Sequence, residues 1–289
     1  MNKCLGCGKL IDDNEKYCSR CFQIKNYNNY LSVDVIDNNK IIDLVNKKEV
    51  FTFFLCDFLN LNKKVVDLYK QINNKKIFVI SKMDIIPENV SLDSLVKRIK
   101  DIYEIDKIMF ISIKNNYGIK DLEKLINYYK EVLFVGPSSS GKSSLINYLF
   151  KTDLIVSNKQ NTTPDFNEFV IDDIKVIDSP GLQVNHNLIS KQAGYLKPNI
   201  IHLKKGYMLV IDDYKISFLS DNNITLFIDK GHTYKTMKKS DLNNKMNYGN
   251  YSDIVIDNIG FIYSKKENTL LINKVDNVEI RDSLVGNNE

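Results

Sequence analysis

Val132-Leu133-Phe134-Val135-Gly136-Pro137-Ser138-Ser139-Ser140-Gly141-Lys142-Ser143 is the stretch on which the fold turns. Four apolar residues read as a buried strand, the spacing G-x4-G-K-S follows at once, and Ser144 to Phe150 continues as a helix. Strand, loop and helix therefore stand in the order that a phosphate-binding loop requires. Gly136, Ser139, Ser140, Gly141 and Ser144 then form the cradle, whose backbone N–H groups and helix N-terminus present positive ends to phosphate. Lys142 reaches the outer phosphates, and the Ser143 hydroxyl is placed to hold magnesium.

Working outward, the strand Ile174 to Asp178 runs into Ser179-Pro180-Gly181. D-x-P-G alone is an ordinary turn, but its place after a phosphate loop gives Asp178 a water-mediated magnesium contact and sets the Gly181 N–H near the terminal phosphate. Asn161-Thr162-Thr163-Pro164 lies between the two motifs. Thr163, preferred over Thr162, would complete the magnesium shell only while the terminal phosphate is present. Lys142, Thr163, Asp178 and Gly181 are thus the expected reacting end of the site, with Ser143, Thr163 and Asp178 as magnesium ligands.

The base-reading motifs come earlier in the chain. Lys76 to Ile80 reads as a strand that ends in Ser81-Lys82-Met83-Asp84, which resembles the N-K-x-D motif of GTPases. The Asp84 carboxylate would accept both N–H groups on the pyrimidine edge of guanine, a pair adenine lacks, while the Lys82 stem covers the ring. Ser81 departs from the usual asparagine. A further strand, Lys107 to Ile111, ends in Ser112-Ile113-Lys114, similar to the S-A-K loop that closes over guanine, so Ser112 and Lys114 join the nucleotide-binding set. Asp57 also follows a strand and reads as a turn residue. With strands near 51–56, 76–80, 107–111, 132–135, 167–171 and 174–178, the expected fold is α/β: a P-loop GTPase domain with a six-stranded, mostly parallel sheet whose motifs run in circularly permuted order. A doubly wound sheet tolerates such relocation because its strands keep their spatial neighbours.

Four of the five cysteines form Cys4-x-x-Cys7 and Cys18-x-x-Cys21, two knuckles whose sulfurs suit the closed tetrahedral shell of structural zinc. In so short a segment metal binding would drive folding. Lys16, Arg20 and Lys25 alternate with Tyr17, Phe22 and Tyr27, which fits an RNA-facing surface and a solvated zinc ribbon equally. The formal charge of +4, with 43% hydrophobic and 26% charged residues, is ordinary for a soluble chain. No apolar run approaches the ~18 residues of a membrane span, and Cys4 follows Met1 too closely for a secretory signal, so a reducing cytoplasmic setting is expected. Beyond about residue 190, short alternating segments broken by Asp-Asp and Asp-Asn-Asn read as meander-like β structure. Lys204, Lys205, Lys235, Lys238 and Lys239 there are candidates for phosphate contacts with RNA.

An N-terminal four-cysteine module ahead of permuted GTPase motifs resembles the YqeH family of bacterial ribosome-assembly GTPases. The likeness includes Cys18-Ser-Arg-Cys21-Phe22, Tyr27-Asn28, Ser81 to Pro87, Asp178 to Leu182, Asp257-Asn-Ile-Gly260-Phe261 and Arg281-Asp-Ser-Leu284. RsgA is also permuted, and Gly136-Pro137-Ser138 is closer to its loop. It carries an OB fold first and its zinc after the GTPase domain, which sets it apart. The resemblance implies GTP and GDP with Mg2+ and Zn2+ as ligands, hydrolysis of GTP, and a switch role in small ribosomal subunit assembly with that subunit or rRNA as partner, without DNA or membrane. It implies three units: a zinc module over 1–30, the GTPase domain over 31–190, and a β-rich RNA- or ribosome-binding domain over 191–289. Ser139 stands where many relatives carry an asparagine linked to potassium-stimulated hydrolysis, which weighs against potassium activation. Leu182 replaces the glutamine that orients water in Ras-like proteins, so slow unaided turnover is expected, with Gln183 and His186 as weak substitutes. A non-hydrolysing nucleotide-bound RNA scaffold and a P-loop ATPase are the alternatives. Because the permutation puts Asp178 to Gly181 last in the core, the second switch would connect directly to the β-rich domain.

Overall fold

In the computed structural model, residues 2–3, 10–11, 37–138, 140–151, 166–184 and 196–286 are described. Two short strands, β1 (Asn2–Lys3) and β2 (Leu10–Ile11), pair antiparallel on either side of Cys4 and Cys7. Cys4, Cys7, Cys18 and Cys21 themselves lie outside the described residues, as do Ser139, Thr162, Thr163 and His186.

The central unit is a six-stranded sheet of β3 (Phe51–Asp57), β4 (Lys76–Ser81), β5 (Ile108–Phe110), β6 (Glu131–Val135), β7 (Asn167–Ile171) and β8 (Ile174–Asp178) in the order β5-β4-β3-β6-β8-β7. Five strands are parallel, and β7 closes one edge antiparallel to β8. Alternate residues of the inner strands go to opposite layers, as a period of two requires. Phe54, Cys56, Phe78, Ile80, Leu133 and Val135 pack with the helices α1 (Asn38–Asn46), α2 (Lys63–Lys70) and α3 (Leu92–Tyr103). Phe53, Leu55, Val79, Val132 and Phe134 pack with α4 (Ile119–Tyr129) and α5 (Lys142–Phe150) on the other face. The expected six-stranded, mostly parallel sheet is thus present, with both faces covered.

The C-terminal region is not a meander. Its strands are β9 (Asn199–Leu203), β10 (Tyr207–Ile211), β11 (Tyr214–Phe218), β12 (Asn222–Ile228), β13 (Tyr234–Lys238), β14 (Asn244–Tyr248), β15 (Ser252–Ile256), β16 (Gly260–Ser264), β17 (Asn268–Ile272) and β18 (Val278–Asp282). They form two five-stranded antiparallel sheets, β13-β10-β11-β17-β14 and β18-β15-β16-β12-β9. The chain changes sheet between β9 and β10 and again between β11 and β12, and pairings such as β11 with β17 join residues far apart in sequence. Local patterning marks the strands but not these partners. Asp212 and Asp213 do form a turn, whereas Asn222 and Asn223 already belong to β12.

The inner strands β15 and β16 of the second of these sheets are buried on both faces. Leu226, Ile228, Ile254, Ile256 and Ile262 fill the core between the two sheets. Their neighbours Phe227, Val255 and Phe261 turn the other way and join the core of the GTPase unit. There Phe261 stacks on Phe227 at 4.6 Å and meets Phe58 edge-on at 5.8 Å. Polar contacts surround the rings: Asn62 Nδ2 donates to Asp257 Oδ1 at 2.8 Å, and Lys64 pairs with Asp257 at 2.8 Å. Arg281 donates to the Leu61 carbonyl and the Tyr103 hydroxyl, and its Nε lies 3.3 Å from Asp253 Oδ2. Truncating a fully buried phenylalanine typically costs about 3–5 kcal/mol. Phe261→Ala is therefore expected to lower the unfolding free energy by that order in urea titration, and a loss below about 1 kcal/mol would contradict this packing.

Candidate functional site

The parallel strands β3, β4, β6 and β8 end on one edge, and the candidate residues follow from those ends. Gly136 leaves β6 with φ +152°, and a Cβ there would sit 2.1 Å from the Leu55 carbonyl oxygen. The loop can start only where no side chain intervenes between β6 and β3. Ser138 N donates to Leu182 O at 2.9 Å and Leu182 N donates to Gly136 O at 3.0 Å. These two bonds stitch the Asp178–Gly181 turn to the phosphate loop. Gly181 packs so closely on Ser138 that a Cβ would meet its Oγ at 2.5 Å.

Gly141 caps α5, and Lys142 to Ser144 form its first turn. Lys142 is buried, and its Nζ donates to the carbonyls of Gly136 at 2.8 Å and Pro137 at 3.0 Å. Burial pushes its pKa down to about 8, against the opposing pull of Asp178. Burial likewise pushes Asp178 up to about 6, although Lys142 and a hydrogen bond from Ser143 favour its charged form. Asp178 Oδ1 and Ser140 Oγ are buried with no hydrogen-bond partner among the described residues. A buried carboxylate that accepts from the Ser143 hydroxyl and keeps a second oxygen without a partner among the described residues is a donor set that fits magnesium, a hard cation that takes oxygen ligands. No cluster of three or more His, Cys, Asp or Glu side chains able to hold a metal occurs among the described residues.

The Ser81–Asp84 and Ser112–Lys114 segments follow β4 and β5, two and three strands from β6. Ser81 Oγ donates to the Ser140 carbonyl at 3.2 Å, so this residue ties β4 to the phosphate loop with a hydroxyl. Asp84 Oδ1 accepts from Ser112 Oγ at 2.7 Å, and its Oδ2 lies 3.6 Å from Lys114 Nζ. The backbone supports the pair, with Met83 N donating to Ile111 O at 3.1 Å. Ser81, Lys82, Asp84, Ser112 and Lys114 therefore converge, and Ser81 joins them to Ser140. Thr163 and Ser139 cannot be placed with them, since both fall outside the described residues.

Four further residues near the site are placed by the structure. Asp57 is not simply a turn residue: it ends the central strand β3, is buried, accepts from Asn60, and lies 3.5 Å from Lys82 Nζ. Its register opposite Ser81 brings Lys82 beside it, a pairing that the local sequence does not encode. Gln183 Nε2 donates to Ser138 Oγ at 3.2 Å, and Asn38 brackets the Gln183 backbone through bonds of 2.6 and 2.8 Å. Nothing local in the sequence marks Asn38. Leu182 is fully buried in the GTPase core.

The sequence matches known GTPase families and relatives. A family model described as RsgA GTPase matches residues 42–186, and one described as 50S ribosome-binding GTPase matches residues 131–246. The chain is 25% identical over 221 residues to a Bacillus subtilis protein described as uncharacterized protein YqeH, covering 64% of this chain and 60% of that one. It is 29% identical over 199 residues to the tRNA modification GTPase MnmE of Pelagibacter ubique, covering 64% of this chain and 44% of that one. The chain thus spans less than two thirds of the length of either relative. YjeQ from Thermotoga maritima aligns with a TM-score of 0.34 and 24% identity over 46% of this chain and 48% of that one, a likeness that carries no weight for fold or function. The separation from RsgA expected from the cysteine positions does not extend to the GTPase core, which the RsgA model matches.

The raised pKa of Asp178 has a consequence for stability. A carboxyl whose pKa rises from 3.8 to about 6 on folding favours the folded state fully below pH 3.8, and that advantage is lost as pH rises through 6. Asp178→Asn, which cannot ionise, is expected to raise the thermal midpoint of the nucleotide-free protein by roughly 3–6 °C at pH 8 relative to wild type, with little difference near pH 4. Equal differences at both pH values would contradict the buried, strained charge.

Proposed function

Because the chain belongs to the RsgA GTPase family, we propose that it binds GTP and GDP with magnesium, hydrolyses GTP to GDP and phosphate, and acts as a cytoplasmic switch in small ribosomal subunit assembly. The observation that carries the reading is the hydrogen bond from Ser81 to the Ser140 carbonyl. It ties the strand end that carries Lys82 and Asp84 to the phosphate loop, so that both ends of one nucleotide would be met by a single site.

In this reading Asp84 accepts the two guanine N–H groups, held in place by Ser112 and Lys114, while the Lys82 stem covers the ring. Gly136, Ser139, Ser140, Gly141 and Ser144 cradle the phosphates through backbone N–H groups. Lys142 exchanges the Gly136 and Pro137 carbonyls for phosphate oxygens, which restores the full charge that burial disfavours. Ser143, Asp178 and Thr163 hold magnesium. When bound, that ion neutralises charge developing on the phosphates. The Gly181 N–H faces the terminal phosphate. Leu182 is buried and cannot orient water, so turnover is slow until a partner supplies a group, a form of help worth ~10³–10⁵ in related systems. Rapid phosphate release by the purified chain alone would refute that. The buried Leu182 also favours a second reading, a nucleotide-bound RNA scaffold that does not hydrolyse; absence of multiple-turnover phosphate release even with ribosomal subunits would select it.

The partner assignment is drawn from the YqeH resemblance, whereas one matching model is described as 50S-binding. Co-sedimentation with separated small and large subunits in GDP and GTP-analogue states decides between them. The pairing of Tyr207 with Lys238 and of Lys239 with Gly206 gathers Lys204, Lys205, Lys238 and Lys239, all exposed, at one end of the β10–β13 pair, with Lys235 further along it. This supports an RNA contact whose affinity falls steeply with salt. The four cysteines are assigned to one structural zinc ion, to be checked by metal analysis of the purified chain. No helix among the described residues is long and apolar enough to cross a membrane.

The base assignment has a sharp test. Leaving a hydrogen-bonding edge unmatched costs on the order of 10²-fold or more in affinity. Asp84→Asn is expected to weaken GDP binding by at least that factor while improving binding of xanthosine diphosphate, whose ring presents an oxygen in place of the amino group. Unchanged GDP affinity would remove Asp84 from the site.

A further inference from the structure

We propose that Asp229, in the turn that follows β12, is a positioning residue for the guanine site. Together with Asp57 it holds the Lys82 ammonium, so that the C-terminal sandwich completes the base-reading end of the GTPase unit. The inference rests on the reading of Lys82 as the residue that covers guanine.

Lys82 follows β4 with φ 60° and ψ 38°, a left-handed conformation that fixes where its side chain leaves the backbone. Its Nζ lies 3.5 Å from Asp57 Oδ2 and 3.7 Å from Asp229 Oδ2, and the two carboxylates are only 3% and 8% exposed. Burial works against the lysine charge, but Asp57 and Asp229 outweigh it and raise its pKa. The ammonium is therefore tied on one side to the strand end of its own domain and on the other to a separate structural unit.

Both carboxylates are themselves held. Asp57 accepts from Asn60 N at 3.1 Å and Asn60 Nδ2 at 2.9 and 3.0 Å. Asp229 accepts from Gly231 N at 3.3 Å through Oδ1, and its own N–H donates to Ile259 O at 2.9 Å. The segments that carry them are packed together by Phe58, Phe227 and Phe261. Phe58 follows Asp57 directly, and Phe227 lies two residues before Asp229. Other groups facing Asp229 are His232, whose Nδ1 lies 2.7 Å from Asp212, and Asp57 itself.

This second anchor matters because the first is short. Ser81 reaches the phosphate loop with one hydroxyl, where an asparagine side chain would be longer and offer an amide. A lysine stem held at its far end by two fixed carboxylates loses less conformational freedom when a base slides beneath it. Coupling of this kind is reciprocal: a sandwich that favours guanine binding is itself docked more firmly when guanine is bound.

The test is the dissociation rate of a fluorescent N-methylanthraniloyl-GDP from the full chain. Charge pairs in contact couple strongly enough to predict a dissociation about three- to tenfold faster for Asp229→Asn. Lys82→Met, which keeps the stem and removes the ammonium, is expected to accelerate release by a similar factor. In the Lys82→Met background Asp229→Asn should then add nothing, whereas with Lys82 present Asp229→Glu should keep the rate closer to wild type than Asp229→Asn does. A rate within twofold of wild type for Asp229→Asn, or an equal acceleration with and without the Lys82 ammonium, overturns the proposal and assigns Asp229 to the fold alone. Wild-type protein that holds the corresponding ADP probe as tightly as the GDP probe overturns the guanine reading and this inference with it, an outcome distinct from the first two.

Discussion

Parallel strands that are buried on both faces leave little room for chemistry except at their carboxyl ends. This constraint organises the molecule. Because β3, β4, β6 and β8 all end on one edge, Asp57, Ser81, Gly136 and Asp178 are neighbours in space whatever their order in the chain. The permuted order of motifs therefore costs the site nothing, while it changes what each motif is joined to. The phosphate loop and the Asp178 turn sit side by side through Ser138 and Leu182, and the end of β4 is drawn in by Ser81.

Among the described residues the site is poorly satisfied: Lys142 is buried against two backbone carbonyls, and Asp178 Oδ1 and the Ser140 hydroxyl are buried with no hydrogen-bond partner there. Each charge is displaced toward neutrality, the lysine to about 8 and the aspartate to about 6. Shifts of this kind gather where a ligand supplies the missing partners. The protein's own packing does not require them, since Leu133, Val135 and Ile177 build the adjoining core without help from charge.

Much of this was legible in the sequence because the signals are local. The run from Val132 to Ser143 carries strand, turn and helix together, and the β6–α5 join falls within it. Ser81, Asp84 and Ser112 likewise sit directly after apolar strands. What was not legible depends on pairing between distant residues. The two sheets of the sandwich differ from a meander because β11 pairs with β17 and β12 with β9, and no short-range pattern encodes that choice. Asp57 looks like any strand-end aspartate until Lys82 is brought beside it, and Asp229 is an ordinary turn residue until Phe261 seats the sandwich on Phe58. The segment Asp257 to Phe261 and Arg281 to Leu284 stood out only as a family likeness. In the structure Asp257, Phe261, Arg281 and Ser283 belong to the contact between the two units or support it.

Selection of guanine by a site assembled from both ends of the permuted domain is the property on which all the proposed roles depend. Isothermal titration of nucleotide-free protein with GDP and with ADP, both in magnesium, tests this most directly. Binding of GDP at least about 100-fold tighter than ADP is the predicted result, given the cost of unmatched hydrogen-bonding groups. Equal affinities for the two nucleotides would contradict it.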